Sequence, residues 1–394
     1  MKTKTIGIFL PAAYRGGSLN GAKNIAKMLH LGSRNANEAV NVIFSCIENE
    51  YNIADEFSDL IELGIPVRET RWKIVSKKQV EKITYKTPLK HPEYALPCFG
   101  NSHFDDCDTW LVISDRLKRP LAPLKPYGVV IYDYIQRYVP HIFNDTFSDV
   151  HFIATARSAH FILTTTPATR LDAIQYAGVA SDRVFLSPME FDPYDFPSQT
   201  NTHETDYFLW PTNATQHKNH IRAIHALNSY YEQYDGKLAV IMTGQHTDSF
   251  LKKKADAYSG EVRRLIDQYP AVKKNLAIRG NVALLDYVAI LQSATFLWHP
   301  ALIDNGTYAV IEAAFQGVPS LSSDYPQMRY INDRFKLALD FCKAGEPDEM
   351  AKQLKYMEEN HERKRQLLPE KTFLDPFSYK NTAPEFWQLA RGLL

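Results

Sequence analysis

Short apolar runs alternate with longer amphipathic stretches along this chain, and the whole pattern occurs twice. Six runs rich in β-branched residues come first: TIGIFL, AVNVIFSC, DTWLVIS, YGVVIYD, HFILTTT and RVFLSP. Five more follow a polar stretch near residues 190–205: YFLWP, KLAVIMTG, NLAIRG, ATFLWHP and VPSLSS. Short buried strands that alternate with helices form parallel sheets. The pattern therefore predicts an α/β fold with two doubly wound, parallel-sheet domains.

The polar stretch also sets the predicted domain boundaries. The chain has 394 residues, and a typical domain has roughly 100–200. We expect one domain over 1–195, a second over 205–372 and a terminal helix over 373–394 that packs against another surface. The apolar residues of that helix are Phe386, Trp387, Leu389, Ala390, Leu393 and Leu394. Because ligands of doubly wound sheets bind at the carboxyl ends of the strands, we expect the two domains to face each other across a cleft.

The composition excludes several classes of protein. Basic and acidic residues number 45 each, so the formal charge is zero and nucleic acid is not an expected partner. No run approaches the roughly 18 apolar residues of a membrane-spanning helix, and TIGIFL is predicted to be a buried strand rather than a signal peptide. These features indicate a cytoplasmic protein, with association at the inner face of a membrane left open. Four cysteines lack the spacing of a zinc site or a disulfide framework: Cys46, Cys98, Cys107 and Cys342.

Two loops that follow predicted strands could bind an anion. Gly16, Gly17 and Gly21 allow a tight turn after the first strand, before a helical pattern. A helix N-terminus there would suit phosphate or sugar oxygens, although an ordinary turn explains the glycines equally well. After YFLWP, the loop TNATQHKNH places Lys218 at the predicted start of a helix, where a bound phosphate would compensate its charge. His217 and His220 are expected to make polar contacts rather than to bind metal.

The segment IDNGTYAVIEAAFQGVPS places two carboxylates around a predicted helix start. Asp304 lies in the loop after ATFLWHP, and Glu312 lies within the apolar run AVIEAAFQG. A buried carboxylate needs hydrogen-bond donors, which ribose hydroxyls would supply. The loop N–H groups of residues 305–308 would form an anion-binding nest. A water-exposed helix glutamate is the alternative interpretation of Glu312.

These segments resemble family 4 glycosyltransferases. The spacing Asp304-x7-Glu312 followed by GVPSLSSDYPQM is similar to the E-x7-E region of that family, and HKNH resembles its donor phosphate loop. Other stretches, ILTTTPATRLDAIQYAGVASDRVFLSP and NLAIRGNVALLDYVAILQSATFLWHP, resemble the segments before the domain linker and before E-x7-E. The chain departs from the family at Asp304, which replaces Glu, and at Asn213, which replaces an arginine. The resemblance covers nearly all of residues 150–330.

The resemblance implies a GT-B architecture with two Rossmann-like domains, in which the first binds the acceptor, the second binds the nucleotide sugar and the last helix crosses back to the first. It also implies hexosyl transfer from a nucleotide diphosphate sugar, with GDP-mannose as the first guess, with retention of configuration and without a metal or other cofactor. The acceptor would be a glycan or lipid-linked glycan in cell-surface polysaccharide assembly, such as O-antigen. The implied catalytic residues are Asp304, Lys218 and Asp133. The implied donor-binding residues are Glu312, Asn305, Gly306, Thr307, Tyr308, Asn213, Gly16 and Gly17.

Asp133 enters that set because YDYIQRYVPHIF resembles the stretch where many family members place His-Asp; a carboxylate that caps the next turn is the alternative. The segment FDDCD, residues 104–108, precedes a strand and is therefore not expected at a ligand site. Residues 71–90 hold seven basic residues and one acid, with apolar residues between them. They predict either contact with an anionic membrane or a solvated basic face on a helix and loop.

Two other functions remain open from the sequence. An epimerase of the same architecture would bind the same nucleotide sugar and interconvert it without an acceptor. A catalytically silent partner subunit would bind nucleotide without turnover, which the replacements at Asp304 and Asn213 favour.

Overall fold

The computed structural model describes residues 3–84, 89–100, 102–103, 106–142, 146–193, 206–253 and 256–394. The described chain divides into two compact units: the first contains Met1–Asp192 with Pro376–Leu394, and the second contains Pro193–Asp375. The second unit is a parallel sheet and the first a mostly parallel one, each covered by helices, and the sequence predicts this α/β class. Most of the polar stretch predicted to link the domains, residues 194–205, lies outside the described residues, as do residues 85–88 of the basic segment and residues 104 and 105 of FDDCD.

The first unit contains a nine-stranded sheet. Its strands are β1 (Thr5–Phe9), β2 (Asn41–Ile47), β3 (Val67–Ser76), β4 (Glu93–Phe99), β5 (Ser102–His103), β6 (Thr109–Ile113), β7 (Tyr127–Ile131), β8 (Phe161–Thr164) and β9 (Val184–Leu186). Its helices before the second unit are α1 (Gly16–Asn35), α2 (Ile53–Glu56), α3 (Ser58–Glu62), α4 (Lys77–Thr84), α5 (Ile135–Tyr138), α6 (Thr146–Ser158) and α7 (Pro167–Gln175). The strand order is β5-β4-β3-β2-β1-β6-β7-β8-β9, parallel except for the β3–β4 and β4–β5 pairs.

Both faces of this sheet are covered, which explains why its strands are continuously apolar in sequence. Leu111 and Ile113 of β6 pack into the core cluster that contains α1, whereas Trp110 and Val112 pack into the cluster on the other face. Side chains alternate between the faces of a strand, so a strand buried on both sides needs apolar residues at every position. Strands β3, β4 and β5, at one side of the sheet, include its antiparallel pairs, and the sequence analysis did not predict them.

The second unit contains a six-stranded parallel sheet in the order β12-β11-β10-β13-β14-β15. Its strands are β10 (Tyr207–Pro211), β11 (Ala239–Thr243), β12 (Leu276–Ile278), β13 (Leu297–His299), β14 (Ser320–Ser323) and β15 (Asp340–Cys342). Its helices are α8 (His220–Glu232), α9 (Ala257–Gln268), α10 (Pro270–Asn275), α11 (Leu284–Gln292), α12 (Tyr308–Phe315), α13 (Pro326–Phe335), α14 (Pro347–Arg365) and α15 (Lys371–Leu374). The five runs predicted for this half are all strands, and β15 was missed.

The last helix, α16 (Tyr379–Ala390), belongs to the first unit. Phe386 is fully buried in the same core cluster as α1, and Nε1 of Trp387 donates to Oε2 of Glu38 at 2.8 Å. Next to it, Phe191 pairs with Ser378, so the chain leaving the first unit lies beside the chain returning to it. The apolar face of the terminal helix therefore packs against α1.

Candidate functional site

The loops after β10 and β13 form the predicted ligand site of the second unit. These two strands are neighbours, and β11 and β14 lie on their outer sides. Such a point, where the strand order reverses, opens a crevice at the carboxyl end of a parallel sheet. The two loops are joined there, because Leu302 N donates to the carbonyl of His217 at 2.9 Å. Lys218 and Asp304, which are 86 positions apart, therefore meet at this crevice.

Lys218 forms a buried ion pair with Asp304. Its Nζ donates to Oδ2 of Asp304, and the two side chains are 14% and 9% exposed. The prediction that Lys218 begins the following helix is wrong. Lys218 ends a 3-10 turn, Gln216–Lys218, and α8 begins at His220 because Asn219 between them adopts a left-handed conformation with φ 67°. The β10 loop therefore ends before α8 begins, with Lys218 in contact with Asp304 of the loop after β13.

Three groups hold Asp304 in its ionised form. Burial opposes ionisation, but Lys218 and the nearby imidazole of His299 outweigh it and hold the pKa of Asp304 well below its usual range. Nε2 of His299 lies 3.5 Å from Oδ2 of Asp304, and the N–H of Asn305 donates to Oδ1 at 2.8 Å. Burial and Lys218 lower the pKa of His299, so its imidazole is neutral at physiological pH. The net charge of this group is zero.

The loop from Asn305 to Tyr308 leads into the N-terminus of α12. Gly306 has φ +87°, a backbone conformation that residues with a side chain rarely adopt, so this position favours glycine. Thr307 caps α12, because its Oγ1 accepts from the N–H of Ala309 at 3.2 Å. Since the N–H of Asn305 already binds Asp304, the predicted nest of residues 305–308 has one donor fewer than expected.

Glu312 is half-buried, not buried as its apolar surroundings in sequence suggested. It lies on α12, and the hydroxyl of Tyr287 on α11 donates to its Oε2 at 3.2 Å. A carboxylate with partial exposure and one aromatic hydroxyl donor can still accept from further hydroxyl groups. Tyr287 was not anticipated, because the sequence gives no sign that α11 lies beside α12.

The remaining predicted donor-site residues lie in different places. Asn213, after β10, is occupied locally: its Oδ1 accepts from the N–H of Thr215 at 3.3 Å. Gly16 and Gly17 belong to the first unit and begin α1; Gly17 and Gly21 lie within that helix, so the predicted turn over three glycines is wrong. The helix has no acidic residue in its first turn, which leaves its N-terminal end suited to oxygen ligands.

Two residues missed by the sequence analysis shape the site. Nδ2 of Asn219 donates to the carbonyls of Pro300 at 3.0 Å and Ala344 at 2.8 Å, which ties the β10 loop to the loops after β13 and β15. Gly244 lets the β11 loop approach, because a Cβ there would lie 1.6 Å from the carbonyl oxygen of Thr212. The position of Asn219 within HKNH places it in the site loop, but its role could not be predicted because its partners Pro300 and Ala344 are far away in sequence.

His220 is a structural residue. It is fully buried, stacks on Trp210 and has polar partners at both ring nitrogens: Oγ1 of Thr212 at 3.1 Å and the hydroxyl of Tyr258 at 3.0 Å. Burial lowers the pKa of His220 to about 3, with a contribution from Lys218. Within the described part of the chain, no group of three or more His, Cys, Asp and Glu side chains could hold a metal ion.

Asp133 lies after β7 of the first unit, in a separate polar cluster. Its Oδ1 accepts from Nη2 of Arg116 at 3.0 Å and from the N–H of Ile135 at 3.2 Å. The second contact is the local capping role that the sequence offered as the alternative. The first contact places Asp133 beside an arginine that the sequence analysis did not single out.

Comparison with known proteins identifies the fold. The chain superimposes over its whole length on Anabaena Alr3699/HepE in complex with UDP and glucose, with 99% of that chain covered, a TM-score of 0.69 and 13% identity. The chain has the GT-B fold. Sucrose-phosphate synthase from Thermosynechococcus elongatus is also similar, with a TM-score of 0.63 and 12% identity over 100% of this chain and 99% of that one.

A glycosyltransferase from Rickettsia africae has a TM-score of 0.62 and 10% identity, with 100% of this chain and 98% of that chain covered. At these identities the likeness shows the fold. No family model matches the sequence, and no curated protein matches it either.

Proposed function

We propose that the chain is a retaining glycosyltransferase that moves a hexosyl group from a nucleotide diphosphate sugar to a glycan or lipid-linked glycan. The observation that carries this proposal is the meeting of Lys218, Asp304 and the N-terminus of α12 at the strand-order reversal of the second unit. A cation, a buried carboxylate and helix N–H groups together suit the two charged phosphates and the hydroxyl-rich sugar of such a donor.

Each group has a defined place in the proposed reaction. Lys218 and the loop to Tyr308 bind the diphosphate, Glu312 accepts from the ribose hydroxyls, and Asp304 accepts from hydroxyls of the transferred sugar. The bond from the anomeric carbon to the diphosphate oxygen breaks, and the diphosphate leaves with both electrons. The acceptor hydroxyl passes its proton to the departing diphosphate oxygen as its own oxygen bonds to that carbon on the same face. Fixed positive groups around the leaving diphosphate stabilise the charge that develops on it.

A UDP-hexose is the donor we favour over GDP-mannose, which the sequence alone suggested. The structure of the Anabaena protein contains UDP and glucose, and its chain is similar to this one throughout. The test is thermal unfolding with UDP, UDP-glucose, UDP-galactose, GDP and GDP-mannose. A ligand at 100 times its Kd stabilises by about 2.7 kcal/mol, so the matching series should raise Tm. If no nucleotide raises Tm, the proposal is wrong.

A nucleotide-binding partner subunit without turnover is the second candidate. It is favoured by the neutral Lys218–Asp304 pair and by Asn213, where the resembling family has an arginine, because the diphosphate then meets little net positive charge. Nucleotide-induced stabilisation without donor hydrolysis or transfer to any glycan acceptor would favour this candidate. Interconversion of the donor sugar without an acceptor would favour an epimerase.

Donor binding and turnover are expected to persist in EDTA. The phosphates would be met by Lys218 and by helix and loop N–H groups, so no divalent cation is needed to neutralise them. Nucleotide stabilisation and donor turnover should therefore be equal with and without the chelator. Activity that disappears in EDTA and returns with Mn²⁺ or Mg²⁺ would contradict this proposal.

Glu312→Ala is expected to weaken donor binding about 10- to 150-fold, because hydrogen bonds to a charged group contribute roughly 1.5–3 kcal/mol. Since Glu312 is half-buried, Tm should change little. The matched variant Tyr287→Phe removes only the hydroxyl that contacts Oε2, and its effect should be smaller. An unchanged donor KM and kcat in Glu312→Ala would exclude the ribose role.

The first unit also carries a candidate membrane surface on β3 and α4. Ile74 and Ile83, within the basic segment 71–90, are 46% and 45% exposed. The segment was expected to form a helix and a loop, but its first part is the strand β3.

The charges of this segment are only partly paired. Arg71 pairs with Glu48, and Lys77 pairs with Glu81. Three other lysines of β3 and α4, Lys73, Lys78 and Lys82, take part in no ion pair within the described chain. No described helix has the length and apolar character needed to cross a bilayer. We propose a cytoplasmic protein that binds the inner membrane face here.

Sedimentation with anionic vesicles tests this surface. Each basic residue near such a membrane contributes about 1 kcal/mol, so wild type should pellet at low salt and remain in solution at about 0.5 M, where charges are screened. Gln at Lys73, Lys77, Lys78 and Lys82 should abolish pelleting. Gln at four exposed lysines of the second unit, Lys252, Lys273, Lys343 and Lys352, should leave it intact. Equal pelleting of both variants would exclude the surface.

A further inference from the structure

The first unit has its own strand-order reversal, between β1 and β6, and a polar cluster lies beside it. The chain leaves β6 through Ser114, Asp115 and Arg116, and Ser114 has φ 79°, an uncommon conformation for a residue with a side chain. The side chain of Tyr14, in the loop after β1, lies near Ser114 and Arg116. The cluster therefore occupies the place in the first sheet that the Lys218–Asp304 pair occupies in the second.

Arg116 organises this cluster. Its Nη2 donates to Oδ1 of Asp133 at 3.0 Å and to Oε1 of Gln136 at 2.8 Å, and its guanidinium lies 5.0 Å from the ring centre of Phe152. Asp115 follows on the other side, with Oδ1 4.0 Å from Nε of Arg116. Side chains from the loop after β6, the loop after β7 and α5 thus converge on one guanidinium.

Three buried polar atoms of the cluster have no hydrogen-bond partner among the described residues. They are Oδ2 of Asp115, Nε2 of Gln136 and the hydroxyl of Tyr134. The three side chains are 1–2% exposed. Buried polar groups in native proteins are almost always paired with protein, water or ligand. Two donors and one acceptor held in fixed positions are therefore suited to a ligand that both donates and accepts hydrogen bonds.

The charge of the cluster excludes an anionic ligand. Burial raises the pKa of Asp115; Asp133 and Asp149 add to the rise, and Arg116 opposes it, so the charges that act on Asp115 include two carboxylates and one guanidinium. A phosphate or carboxylate would add to this negative potential, whereas hydroxyl groups can donate to carboxylates and accept from the amide of Gln136. A neutral polyol fits these groups.

We propose that the cluster of Asp115, Arg116, Asp133, Tyr134 and Gln136 binds hydroxyl groups of a neutral carbohydrate and selects against phosphorylated or acidic sugars. The role of this cluster as an acceptor subsite rests on the proposed glycosyltransferase function. Its binding of a neutral sugar is independent of that function. Asp133, which the sequence analysis placed in the catalytic set, then acts together with Asp115 as an acceptor of sugar hydroxyls, and Arg116 acts as a positioning residue.

Saturation-transfer NMR on the full chain tests the inference with three probes: methyl α-D-glucopyranoside, maltose and glucose 6-phosphate. The neutral probes should bind, and glucose 6-phosphate should bind at least tenfold more weakly than methyl α-D-glucopyranoside. Tyr134→Phe combined with Gln136→Met removes two of the unpartnered groups with little change in shape, and should weaken neutral-sugar binding at least tenfold. Tyr134→Phe alone, which removes one hydroxyl, should show a smaller loss and serves if the double variant does not fold.

The controls separate this inference from the proposed function. Glu312→Ala should leave the binding of the neutral probes unchanged, and the Tyr134/Gln136 variant should keep the Tm increase produced by nucleotide. Nucleotide binding without neutral-sugar binding, or stronger binding of glucose 6-phosphate, would overturn the inference alone. Neutral-sugar binding that depends on the cluster in a protein that no nucleotide stabilises would retain the sugar site and reject the proposed function.

Discussion

Lys218→Met is expected to destabilise the second unit by about 3–5 kcal/mol, the usual effect of removing one partner of a buried ion pair. The side chains of Lys218 and Asp304 are 14% and 9% exposed, so solvent screens the pair little. Methionine keeps the unbranched stem but leaves the carboxylate of Asp304 buried without its cation. Nucleotide should also cease to raise Tm, because the cation assigned to the proposed diphosphate site is lost.

A second substitution separates stability from binding. In Lys218→Met/Asp304→Asn the uncompensated charge is gone, so most of the lost stability should return, whereas nucleotide binding should not. Lys364 and Asp340 form the matched control pair in the same unit: their charged atoms are 2.7 Å apart and their side chains are 15% and 17% exposed. Lys364→Met/Asp340→Asn should leave nucleotide binding intact.

Urea unfolding monitored by hydrogen exchange in peptides from β10 and β13 would report the second unit, and Tm shifts with UDP would report binding. If Lys218→Met lowers stability but keeps the nucleotide response, the pair is structural and the diphosphate lies elsewhere. If the double variant regains both stability and nucleotide binding, the charge on Lys218 has no role in the site.

The alternation of apolar runs predicted eleven strands because buried parallel strands are apolar on both faces. It missed β3, β4, β5 and β15: a strand such as VRETRWKIVS has charged residues on an exposed face, and β5 and β15 have only two and three residues. The bounds of α8 were wrong for a local reason: HKNH reads as a helix start, but the left-handed Asn219 delays the helix until His220. Pattern therefore predicts the buried centre of each sheet better than its edges and turns.

The candidate site was predictable only where a motif is continuous in sequence. Asp304 and Glu312 could be selected by spacing, but the ion pair of Asp304 with Lys218 and the contact of Glu312 with Tyr287 depend on which strands and helices are neighbours. The cluster around Arg116 was invisible for the same reason, since its members follow two different strands. Strand order supplies the missing information, because it determines which loops meet.

The two strand-order reversals differ in charge, and that difference agrees with two ligands of different chemistry. In the second unit, Lys218 neutralises Asp304, so the approach of a diphosphate is not opposed by a net negative charge. In the first unit, Asp115 and Asp133 both lie beside the guanidinium of Arg116. The charge in the second unit suits the proposed nucleotide sugar, and the charge in the first unit suits the proposed neutral glycan.

Asp115→Asn is expected to stabilise the first unit at pH 8 by up to about 3 kcal/mol and to give no gain at pH 4. Burial raises the pKa of Asp115 from 3.8 to about 6; Asp133 and Asp149 add to the rise, and Arg116 opposes it. The hydroxyls of Tyr134 and Tyr14 also lie near this group. Each unit of pKa difference corresponds to about 1.4 kcal/mol.

The sign follows from proton binding. Between about pH 4 and pH 6 the folded protein holds the proton on Asp115 more tightly than the unfolded chain does, so its stability falls as pH rises through this window and stays lower above it. Asparagine cannot ionise, so the Asp115→Asn variant should lack this loss of stability.

The measurement is urea unfolding of wild type and Asp115→Asn at pH 4, 6 and 8, monitored by hydrogen exchange in peptides from β6 and β7. Asp182→Asn, at an exposed position, is the control. A stability difference between Asp115→Asn and wild type that stays constant across this range would show that Asp115 ionises in the folded state as it does in the unfolded chain. The increasing difference expected here would identify a carboxyl group that lowers the stability of the fold at neutral pH, as expected of a residue retained to bind a ligand.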